Sequence, residues 1–395
     1  MDIVIISEFC GDFSETDNDR FLYLAKLLAK NSEHQIEIIT SSFRHETKRQ
    51  RDDRTAEWPF KVIYIDEPGY PRNICLKRFY SHYVWGKKVA SYLAKQKKPD
   101  VVYCAVPSLT GPNLVAKYCE KNHIPFIVDV QDLWPEAFQL VLNIPVISGI
   151  IFAPFKVLAD GIYSRADAIC AVSDTYCKRA LSVSRKCKDS TTVFLGTQLQ
   201  TFDCFSSGKP ILDKNKDEIW LAYCGTLGSS YDLTCVIDAL ALMNNSRVRM
   251  IVMGDGPRLE EFKDYAKQKG INAEFTGRLP YNEMCSLLKN CDLNVNPIAH
   301  GAAQSIINKH ADYAASGHPV ISTQESPEYR KLVDEYAMGF NCVNNNPGDL
   351  ADKMRLLIDD EALRAKMGQN ARKCAEECFD RAHTYKELVK IITGE

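Results

Sequence analysis

Short apolar runs alternate with amphipathic stretches along the first half of the chain. The run IVIIS at 3–7 is rich in β-branched residues and has the length of a strand, whereas FLYLAKLLAK at 21–30 is amphipathic at helical spacing. Buried parallel strands have this continuous apolar character. Further strands are predicted at 35–42, 62–65, 101–106, 125–130, 166–173 and 191–195, with helices at 82–96, 111–122 and 174–182. Such strand–helix alternation predicts a doubly wound parallel sheet.

The alternation is interrupted at 198–217 and then starts again. QLQTFDCFSSGKPILDKNKD combines small residues, a proline and mixed charges, which predicts a linker. Beyond it, strands are predicted at 219–225, 248–254, 273–277, 292–297 and 319–323, with helices at 232–243, 257–269 and 281–289. We therefore expect an α/β protein with two Rossmann-like domains, 1–200 and 201–378. Its ligand should bind in a cleft between them, at the carboxyl ends of strands.

Size, composition and charge favour a soluble globular protein of about two domains and disfavour a nucleic-acid binder. The 395 residues suffice for about two domains, and 45% hydrophobic with 25% charged residues is ordinary for a soluble globular chain. A net charge of -2 disfavours a nucleic-acid binder. The 15 cysteines are scattered without zinc-knuckle spacing, which indicates free thiols in a reducing cytosol.

Two stretches bear on membrane contact. The apolar run at 140–159 is interrupted by prolines, Asn143 and Lys156, which favours a core or interfacial helix over a transmembrane one. Residues 72–98 contain Lys and Arg but no acidic residue, and aromatic residues are interleaved with them. This composition suits an anionic membrane surface, and equally a solvated loop and helix. Since no signal-peptide pattern opens the chain, we expect a cytoplasmic protein, soluble or peripheral at the inner face of the plasma membrane.

Glycines follow three successive strands of the second half. They are Gly225 and Gly228 in YCGTLGSS, Gly254 in MGDGP and Gly277 in FTGRLP. A glycine after a strand lets backbone amides approach a phosphate, and the next helix N-terminus adds partial positive charge. Each position alone is also explained by a tight turn, whereas three in succession favour a nucleotide. No GxGxxG or Walker A sequence is present, which disfavours NAD and P-loop binding.

The stretch GAAQSIINKHADYAASGHPVI, which starts at Gly301, is too polar for a helix that only packs against a strand. Gly301, Ala302 and Ala303 are predicted to offer free amides at a helix start, suited to a diphosphate or to sugar hydroxyls. Lys309 would reach a phosphate as a point charge, and Asp312 would accept hydrogen bonds from a ribose diol. The alternative is a solvated helix face on which Lys309 and Asp312 form an i,i+3 pair.

Six segments, in a specific order and spacing, carry a resemblance to a known family. They are FIVDVQDLWPEAF, ADAICAVSDTYCKRA, LAYCGTLGSSYDLTCVIDAL, IVMGDGPRLEEF, FTGRLPYNEMCSLLKNCDLNVNP and INKHADYAASGHPVI. The set resembles a bacterial family 4 glycosyltransferase of the GT-B type, and its Asp-Leu-Trp-Pro-Glu segment is similar to the subgroup that builds surface polysaccharides on lipid carriers. The resemblance implies two Rossmann-like domains facing a cleft, with a last helix in 379–395 packing back on the first domain.

The resemblance implies roles for residues of the second half. Asp312 matches the second acid of a Glu-x7-Glu motif, which holds the ribose. Gln304 stands in place of the first acid, which contacts the donor sugar, and is therefore a candidate catalytic residue. Lys309 matches a lysine that faces the diphosphate. The other implied donor contacts are Gly225, Thr226, Gly228, Gly254, Gly277, Arg278, Leu279, Gly301, Ala302, Ala303 and Ser305.

In the first half the resemblance points to two places. Gln131-Asp132 falls where relatives have His-Asp near the transferred sugar, which makes Asp132 a candidate catalytic residue for substrate contact or acceptor activation. An N-cap of the helix that begins near Trp134 is the alternative role for Asp132. Gly11 and Asp12 follow the first strand, where relatives place a glycine-rich loop facing the acceptor and the donor phosphate.

The reaction implied by the resemblance is a retaining transfer of a hexosyl or N-acetylhexosaminyl group, without a metal or other cofactor. The donor is a nucleotide diphosphate sugar, most often a UDP-sugar, and the acceptor a glycan on a polyprenyl diphosphate. Capsule, lipopolysaccharide O-antigen and exopolysaccharide biosynthesis use such transfers. A nucleotide-sugar 2-epimerase of the same fold and a catalytically silent nucleotide-sugar binding protein are the alternatives. An NAD-linked oxidoreductase is a remote one.

Overall fold

The computed structural model describes residues 1–11, 13, 18–51, 57–73, 75–139, 145–302 and 304–395. Over these residues the chain divides into two compact units. The first unit comprises Met1–Phe194 and Tyr385–Glu395, and the second comprises Leu195–Thr384. Two of the candidate site residues, Asp12 and Ala303, lie outside the described residues.

The first unit contains a parallel sheet of seven strands within the described residues. The strands are β1 (Asp2–Ile6), β2 (Gln35–Ser41), β5 (Lys61–Ile65), β6 (Val101–Val106), β7 (Phe126–Val130), β8 (Ala168–Ala171) and β9 (Asp189–Thr192). A small antiparallel pair is formed by β3 (Phe43–Arg44) and β4 (Arg49–Gln50). The spatial order β5-β2-β1-β6-β7-β8-β9 runs outward on both sides of β1. This is a doubly wound sheet, whose carboxyl edge is the usual place for ligands.

Helices cover the faces of this sheet. They are α1 (Arg20–Leu28), α2 (Leu76–Leu93), α3 (Thr110–Asn122), α4 (Glu136–Gln139), α5 (Pro145–Tyr163) and α6 (Asp174–Leu181). The prediction that α2 begins at residue 82 is wrong, since the helix begins at Leu76. Its first two turns bury the polar side chains of Arg78 and Ser81, which apolar periodicity cannot reveal. Among the described residues, no helix combines the length and apolar composition needed to cross a membrane.

The second unit has a parallel sheet of six strands, again counted over the described residues. They are β10 (Ile219–Cys224), β11 (Val248–Met253), β12 (Ala273–Gly277), β13 (Leu293–Asn296), β14 (Val320–Ser322) and β15 (Gly339–Asn341), in the order β12-β11-β10-β13-β14-β15. The helices are α7 (Leu199–Ser206), α8 (Leu233–Met243), α9 (Leu259–Gln268), α10 (Tyr281–Lys289), α11 (Asn308–Ser316), α12 (Pro327–Tyr336), α13 (Pro347–Asp359) and α14 (Glu361–Cys374). Apolar side chains from α8, β10 and β11 form the centre of its core.

The segment predicted as a linker, 198–217, begins with a helix instead. Leu199 and Phe202 of α7 are spaced i,i+3 and are both buried. Phe205 lies one turn further along and packs the edge of its ring on Tyr281, with 6.2 Å between ring centroids. The apolar residues of the segment therefore belong to the second unit, and only its Gly-, Pro- and Lys-rich remainder is irregular.

The end of the chain returns to the first unit. The last helix, predicted within 379–395, is interrupted: a π-helical turn (Ala375–Phe379) and α15 (Arg381–Thr384) precede α16 (Lys386–Thr393). Tyr385, Leu388 and Ile392 are buried in the core of the first unit. α16 packs there against α1 and β9.

A buried ion pair holds the segment that begins at Tyr385 against the first unit. The guanidinium of Arg20 in α1 donates to both carboxylate oxygens of Asp129 in β7, at 3.0 and 3.1 Å. Its third nitrogen donates to the hydroxyl of Tyr385 at 2.9 Å. Gln131 also donates to Asp129, at 2.8 Å. Because Arg20 and Asp129 are 4% and 0% exposed, removal of either would leave an unpaired buried charge.

Candidate functional site

Two glycine loops pack against each other at the carboxyl ends of β10 and β11. The amide of Gly225 donates to the carbonyl of Met253 at 3.0 Å, and that of Leu227 donates to Asp255 at 2.9 Å. A Cβ on Gly254 would stand 1.9 Å from the carbonyl oxygen of Gly225, so the approach of the loops requires glycine there. The close approach of the two loops therefore explains a glycine at Gly254 without a ligand.

Lys309, in the first turn of α11, lies next to the loop after β10. Its Nζ is 4.2 Å from the ring centroid of Tyr223 and 3.8 Å from that of Tyr231. It is also 3.0 Å from where a Cβ on Gly225 would stand. Lys309 is 8% exposed, and within the described ranges its Nζ has no hydrogen-bond acceptor. The alternative of a solvated pair with Asp312 is therefore wrong, and burial lowers the pKa of Lys309 to about 7.

Asp312 is one turn further along α11 and is held by a tyrosine. Its Oδ1 accepts a hydrogen bond from the hydroxyl of Tyr281 at 2.8 Å. The same hydroxyl lies 2.7 Å from Oγ1 of Thr197. Burial raises the pKa of Asp312 to about 6, and the hydrogen bonds oppose that rise. The group is thus mostly ionised at neutral pH, and a carboxylate has capacity for further donors such as a diol.

The helix predicted to start at Gly301 begins only at Asn308. Ile307 is extended, at φ -121° and ψ 163°, which postpones the helix. The amide of Gly301 donates to the carboxylate of Glu325 at 2.9 Å, and the amide of Ala302 donates to a carbonyl three residues earlier at 3.2 Å. The prediction of free helix-start amides at these two residues is therefore wrong.

Gln304 and Ser305 occupy the segment that precedes α11. The hydroxyl of Ser305 donates to Glu328 at 2.7 Å, and the carbonyl of Gln304 accepts from the side chain of Gln324 at 2.9 Å. The side-chain oxygen of Gln304 is buried, and no donor from the described part of the chain reaches it. A buried amide oxygen without a donor is costly, which makes this atom ready to accept a ligand hydroxyl.

The remaining donor candidates lie at the same edge of the second sheet. Gly277, with φ 74°, ends β12 and is followed by the exposed Arg278 and the half-buried Leu279. Thr226 is exposed and Gly228 half-buried in the loop after β10. Because β12 is two strands from β10, these two groups are separated by ~10 Å across the sheet.

In the first unit, Glu8, Arg78 and His82 form a cluster near the carboxyl end of β1. Glu8 is 2% exposed; one carboxylate oxygen accepts from the hydroxyl of Ser108, and the other lies 3.7 Å from Nε2 of His82. Arg78 and His82 lie one turn apart on α2 and are 7% and 2% exposed. One guanidinium nitrogen of Arg78 donates to the carbonyl of Asn73 at 2.9 Å. Its Nε has no acceptor in the described part of the chain.

Aromatic rings surround the guanidinium of Arg78. Its central carbon lies 4.5 Å from the ring centroid of Trp134, 5.5 Å from that of Tyr70 and 5.9 Å from that of Phe9. The ring of His82 lies nearly parallel to that of Trp134, with 6.1 Å between centroids. The site around this charge is therefore largely apolar.

Burial controls the protonation of this cluster. It lowers the pKa of His82 to about 2, and the charge of Arg78 adds to the effect, so the imidazole is neutral. Burial and the charge of Glu67 raise the pKa of Glu8 well above its usual value, against the hydrogen bond from Ser108. A guanidinium does not lose its proton in proteins, so Arg78 is the member that stays charged.

Asp132 and Gly11 are both held by local hydrogen bonds. The carboxylate of Asp132 accepts from the amide of Leu133 at 2.9 Å and from the indole of Trp134 at 3.2 Å, and burial raises its pKa. Since α4 starts four residues after Asp132, the capping alternative is wrong. The amide of Gly11 donates to Asp19, the N-cap of α1, at 2.7 Å.

Sequence reasoning missed several side chains of both clusters. Tyr223 lies two positions before Gly225, and Tyr281 is the first residue of α10, shortly after β12. An aromatic residue close to the end of a strand was the sequence signal that could have identified both. Arg78 and His82 stand four apart in a stretch read as surface, and nothing local marks them as buried. Within the described ranges, no His, Cys, Asp and Glu side chains are grouped in a way that could hold a metal ion.

Solved structures share this architecture over the whole chain. Sucrose-phosphate synthase from Thermosynechococcus elongatus has a TM-score of 0.73 and 16% identity, covering 100% of this chain and 98% of that one. HepE from Anabaena, in complex with UDP, has a TM-score of 0.68 and 15% identity, covering 100% of both chains. The protein therefore has the GT-B fold, and the predicted fold class is confirmed.

The family match is narrower than the fold match. Residues 207–374, most of the second unit, match the family described as Glycosyl transferases group 1. The uncharacterized glycosyltransferase MJ1069 of Methanocaldococcus jannaschii is 23% identical over 241 residues, which are 60% of this chain and 61% of that protein. The chain thus spans about three-fifths of the length of this relative. Together these matches support a glycosyltransferase.

Proposed function

We propose that the chain is a retaining glycosyltransferase that moves a hexosyl or N-acetylhexosaminyl group from a UDP-sugar to a glycan acceptor. The observation that carries the proposal is the buried Nζ of Lys309 beside the loop after β10, without an acceptor among the described residues. A buried ammonium in this state is unfavourable, and a diphosphate would supply the missing acceptor oxygens. The family match over 207–374 and the UDP complex of HepE support a nucleotide-sugar donor.

In this proposal three side chains each bind a different part of the nucleotide-sugar donor. Lys309 binds the diphosphate, and its pKa rises when the anion arrives. Asp312 accepts from the ribose hydroxyls while Tyr281 holds its other oxygen in place. The side-chain oxygen of Gln304 accepts from a hydroxyl of the donor sugar.

The chemistry needs stabilisation of a leaving group rather than a protein nucleophile. As the bond from the anomeric carbon to the diphosphate breaks, negative charge grows on the oxygens nearest Lys309. The anomeric carbon becomes oxocarbenium-like, and the acceptor oxygen bonds to it on the face that the diphosphate leaves. The acceptor proton passes to the departing phosphate oxygen. We propose this front-face route without a metal or other cofactor.

We further propose that the acceptor is carried by a polyprenyl diphosphate at the inner face of the plasma membrane. The exposed face of α2 presents Leu76, Tyr80 and Tyr83, which are 87%, 59% and 46% exposed. Val157 of α5 is 71% exposed, and Lys87 of α2 is exposed as well. Apolar and aromatic side chains combined with lysine are typical of a surface that binds anionic lipids. We propose accordingly that the enzyme acts in the cytoplasm, in capsule, O-antigen or exopolysaccharide biosynthesis.

Thermal unfolding with a panel of nucleotides tests the donor site. We expect UDP, but not GDP, ADP, CMP or NAD, to stabilise the protein with or without EDTA. A ligand at a hundred times its Kd adds ~2.7 kcal/mol. Asp312→Ala should lose this response, and the control Asp264→Ala, at an exposed position of the same unit, should keep it. No response to any nucleotide in the unmodified protein would contradict the assignment.

Turnover assays separate the enzyme from its rivals. Incubation with a UDP-sugar and no acceptor should release little UDP, whereas a 2-epimerase would release UDP and the epimerised sugar. A catalytically silent binding protein would give no product with any acceptor and would gain turnover in Gln304→Glu. We expect instead that the unmodified protein transfers sugar to a lipid-linked acceptor.

A further inference from the structure

Arg78 is a buried cation, 7% exposed, whose hydrogen bonds are only partly made within the described part of the chain. Among the described residues its guanidinium makes no ion pair, and Nε lacks any acceptor. Two buried carboxyls act on this charge but are bound elsewhere. Glu8 has one oxygen occupied by Ser108 and the other directed towards His82. The two carboxylate oxygens of Glu67 accept from Ser41 and Ser81. Burial and the charge of Glu67 raise the pKa of Glu8 well above its usual value, and the positive charge of Arg78 opposes that rise.

Cation–π contacts do not remove the need for a counter-ion. The three rings around Arg78 attract the charge through their faces but accept no hydrogen bond in its plane. A guanidinium presents five N–H donors in a fixed fork, of which the carbonyl of Asn73 takes one and the hydroxyl of Tyr70 another. Desolvation of such a group is unfavourable unless its hydrogen bonds are made, so a structural role alone leaves the burial unexplained.

The cluster contains further buried polar atoms that have no hydrogen-bond partner among the described residues. Besides Nε of Arg78, they are Nε2 of His82 on α2 and Oε1 of Glu8 after β1. A neutral imidazole offers one donor, and the guanidinium offers two parallel ones. All of these donors suit the oxygens of a phosphate.

We infer that the cluster of Glu8, Arg78 and His82 binds a phosphate or diphosphate group of the acceptor. Arg78 forms a two-pronged contact with one phosphate, and His82 donates to a third oxygen. The identity of the ligand as part of the acceptor rests on the proposed function. The exposed apolar face of the same helix, α2, supplies the reason to expect that a lipid carries this group.

Calorimetric titration with inorganic diphosphate and with farnesyl diphosphate tests the inference. The titrations use Lys309→Met protein, so that diphosphate binding at the donor site does not contribute. Adding Arg78→Met should weaken binding of farnesyl diphosphate by about tenfold or more, because two charge-assisted hydrogen bonds are lost. Adding Arg78→Lys, which keeps the charge but not the fork, should weaken it by roughly threefold to tenfold. Arg185→Met, at an exposed position of the same unit, is the matched control.

The two probes distinguish the source of the phosphate. If inorganic diphosphate binds as tightly as farnesyl diphosphate, the cluster recognises the anion alone; tighter binding of farnesyl diphosphate assigns the group to a lipid. Equal affinity of both probes for the Lys309→Met protein with and without Arg78→Met would overturn the inference, as would no binding of either probe to Lys309→Met. Since Arg78 lies in the first unit, its variants should keep the thermal response to UDP. An absent UDP response with intact farnesyl diphosphate binding would refute the donor site and leave this one standing.

Discussion

Replacement of Lys309 by methionine should make the second unit more stable at neutral pH. Methionine keeps an unbranched side chain between the rings of Tyr223 and Tyr231 but removes the buried ammonium. In the folded protein the pKa of Lys309 is about 7, against 10.5 for an ordinary lysine. On folding, Lys309 therefore either loses its proton or is buried as a charged ammonium, and both cost free energy. In the unfolded chain the same ammonium stays charged in water.

The sign of the pH dependence follows from this depressed pKa. Between pH 7 and pH 10.5 the unfolded chain binds the Lys309 proton and the folded chain does not, so the free energy of unfolding rises with pH. Below pH 7 the full penalty applies, at most about 5 kcal/mol at 1.36 kcal/mol per pH unit. Between pH 7 and pH 9 the unmodified protein should gain about 2 kcal/mol relative to Lys309→Met.

Urea unfolding of protein labelled with 5-fluorotryptophan measures this difference. Trp220 is the tryptophan of the second unit, and the other three lie in the first, so its fluorine signal reports on the correct unit. The free energy of unfolding is compared for both proteins at pH 6, 7, 8 and 9. The pH dependence of the difference isolates the titration from any change in packing.

A difference that stays constant from pH 6 to pH 9 would refute the reasoning, because a lysine with an ordinary pKa is protonated in both states throughout that range. Lys331→Met is the matched control: Lys331 is 72% exposed in α12, and its removal should give no pH-dependent difference. An increase in the stability advantage of Lys309→Met with rising pH would likewise contradict the sign derived above.

Two further predictions concern the nucleotide and the membrane. Tyr281→Phe removes a hydrogen bond that holds down the pKa of Asp312, so the pH below which UDP ceases to stabilise the protein should rise from about 6 by about one unit, measured by thermal unfolding across pH 5–8. An unchanged midpoint would argue against Asp312 as the ribose contact. The double substitution Leu76→Ser, Tyr80→Ser should reduce co-sedimentation with anionic vesicles by about tenfold or more without changing the UDP response. Leu242→Ser, at a 57% exposed position of the second unit, should bind vesicles normally, and equal binding by all proteins would refute the membrane surface.

The two sheets could be predicted because their strands are continuous apolar runs. A buried parallel strand needs apolar side chains on both faces, and this demand is visible in sequence as local composition. The start of α2 and the helix in 198–217 were missed because polar residues lie in or next to buried positions there. Arg78 and Ser81 are buried polar residues, and Ser206 and Gly208 closely follow the apolar positions of α7, so local polarity misrepresents burial at both places.

The residues that could bind a ligand could be predicted from the sequence, but the side chains that surround them could not. The sequence identified Lys309 and Asp312 of α11 as candidate ligands, yet it could not show that Lys309 is enclosed by Tyr223 and Tyr231. Those rings come from a strand and a loop about eighty residues earlier, and their distance to Lys309 depends on how the sheet is ordered. The prediction of a free amide at Gly301 was wrong for a similar reason. Its acceptor, Glu325, comes from a different segment of the chain.

The return of Tyr385–Glu395 to the first unit has a consequence for how the protein is made. In chain terms the second unit, Leu195–Thr384, is an insertion within the first, which consists of two separate pieces. On the ribosome the second unit can therefore complete its core from one uninterrupted stretch, and the first cannot complete its own until Tyr385–Glu395 has emerged. Until Tyr385 arrives, the pair of Arg20 and Asp129 lacks one of its hydrogen bonds and the core it lies in stays open to water. The half of the protein that is synthesised first should be the last to mature.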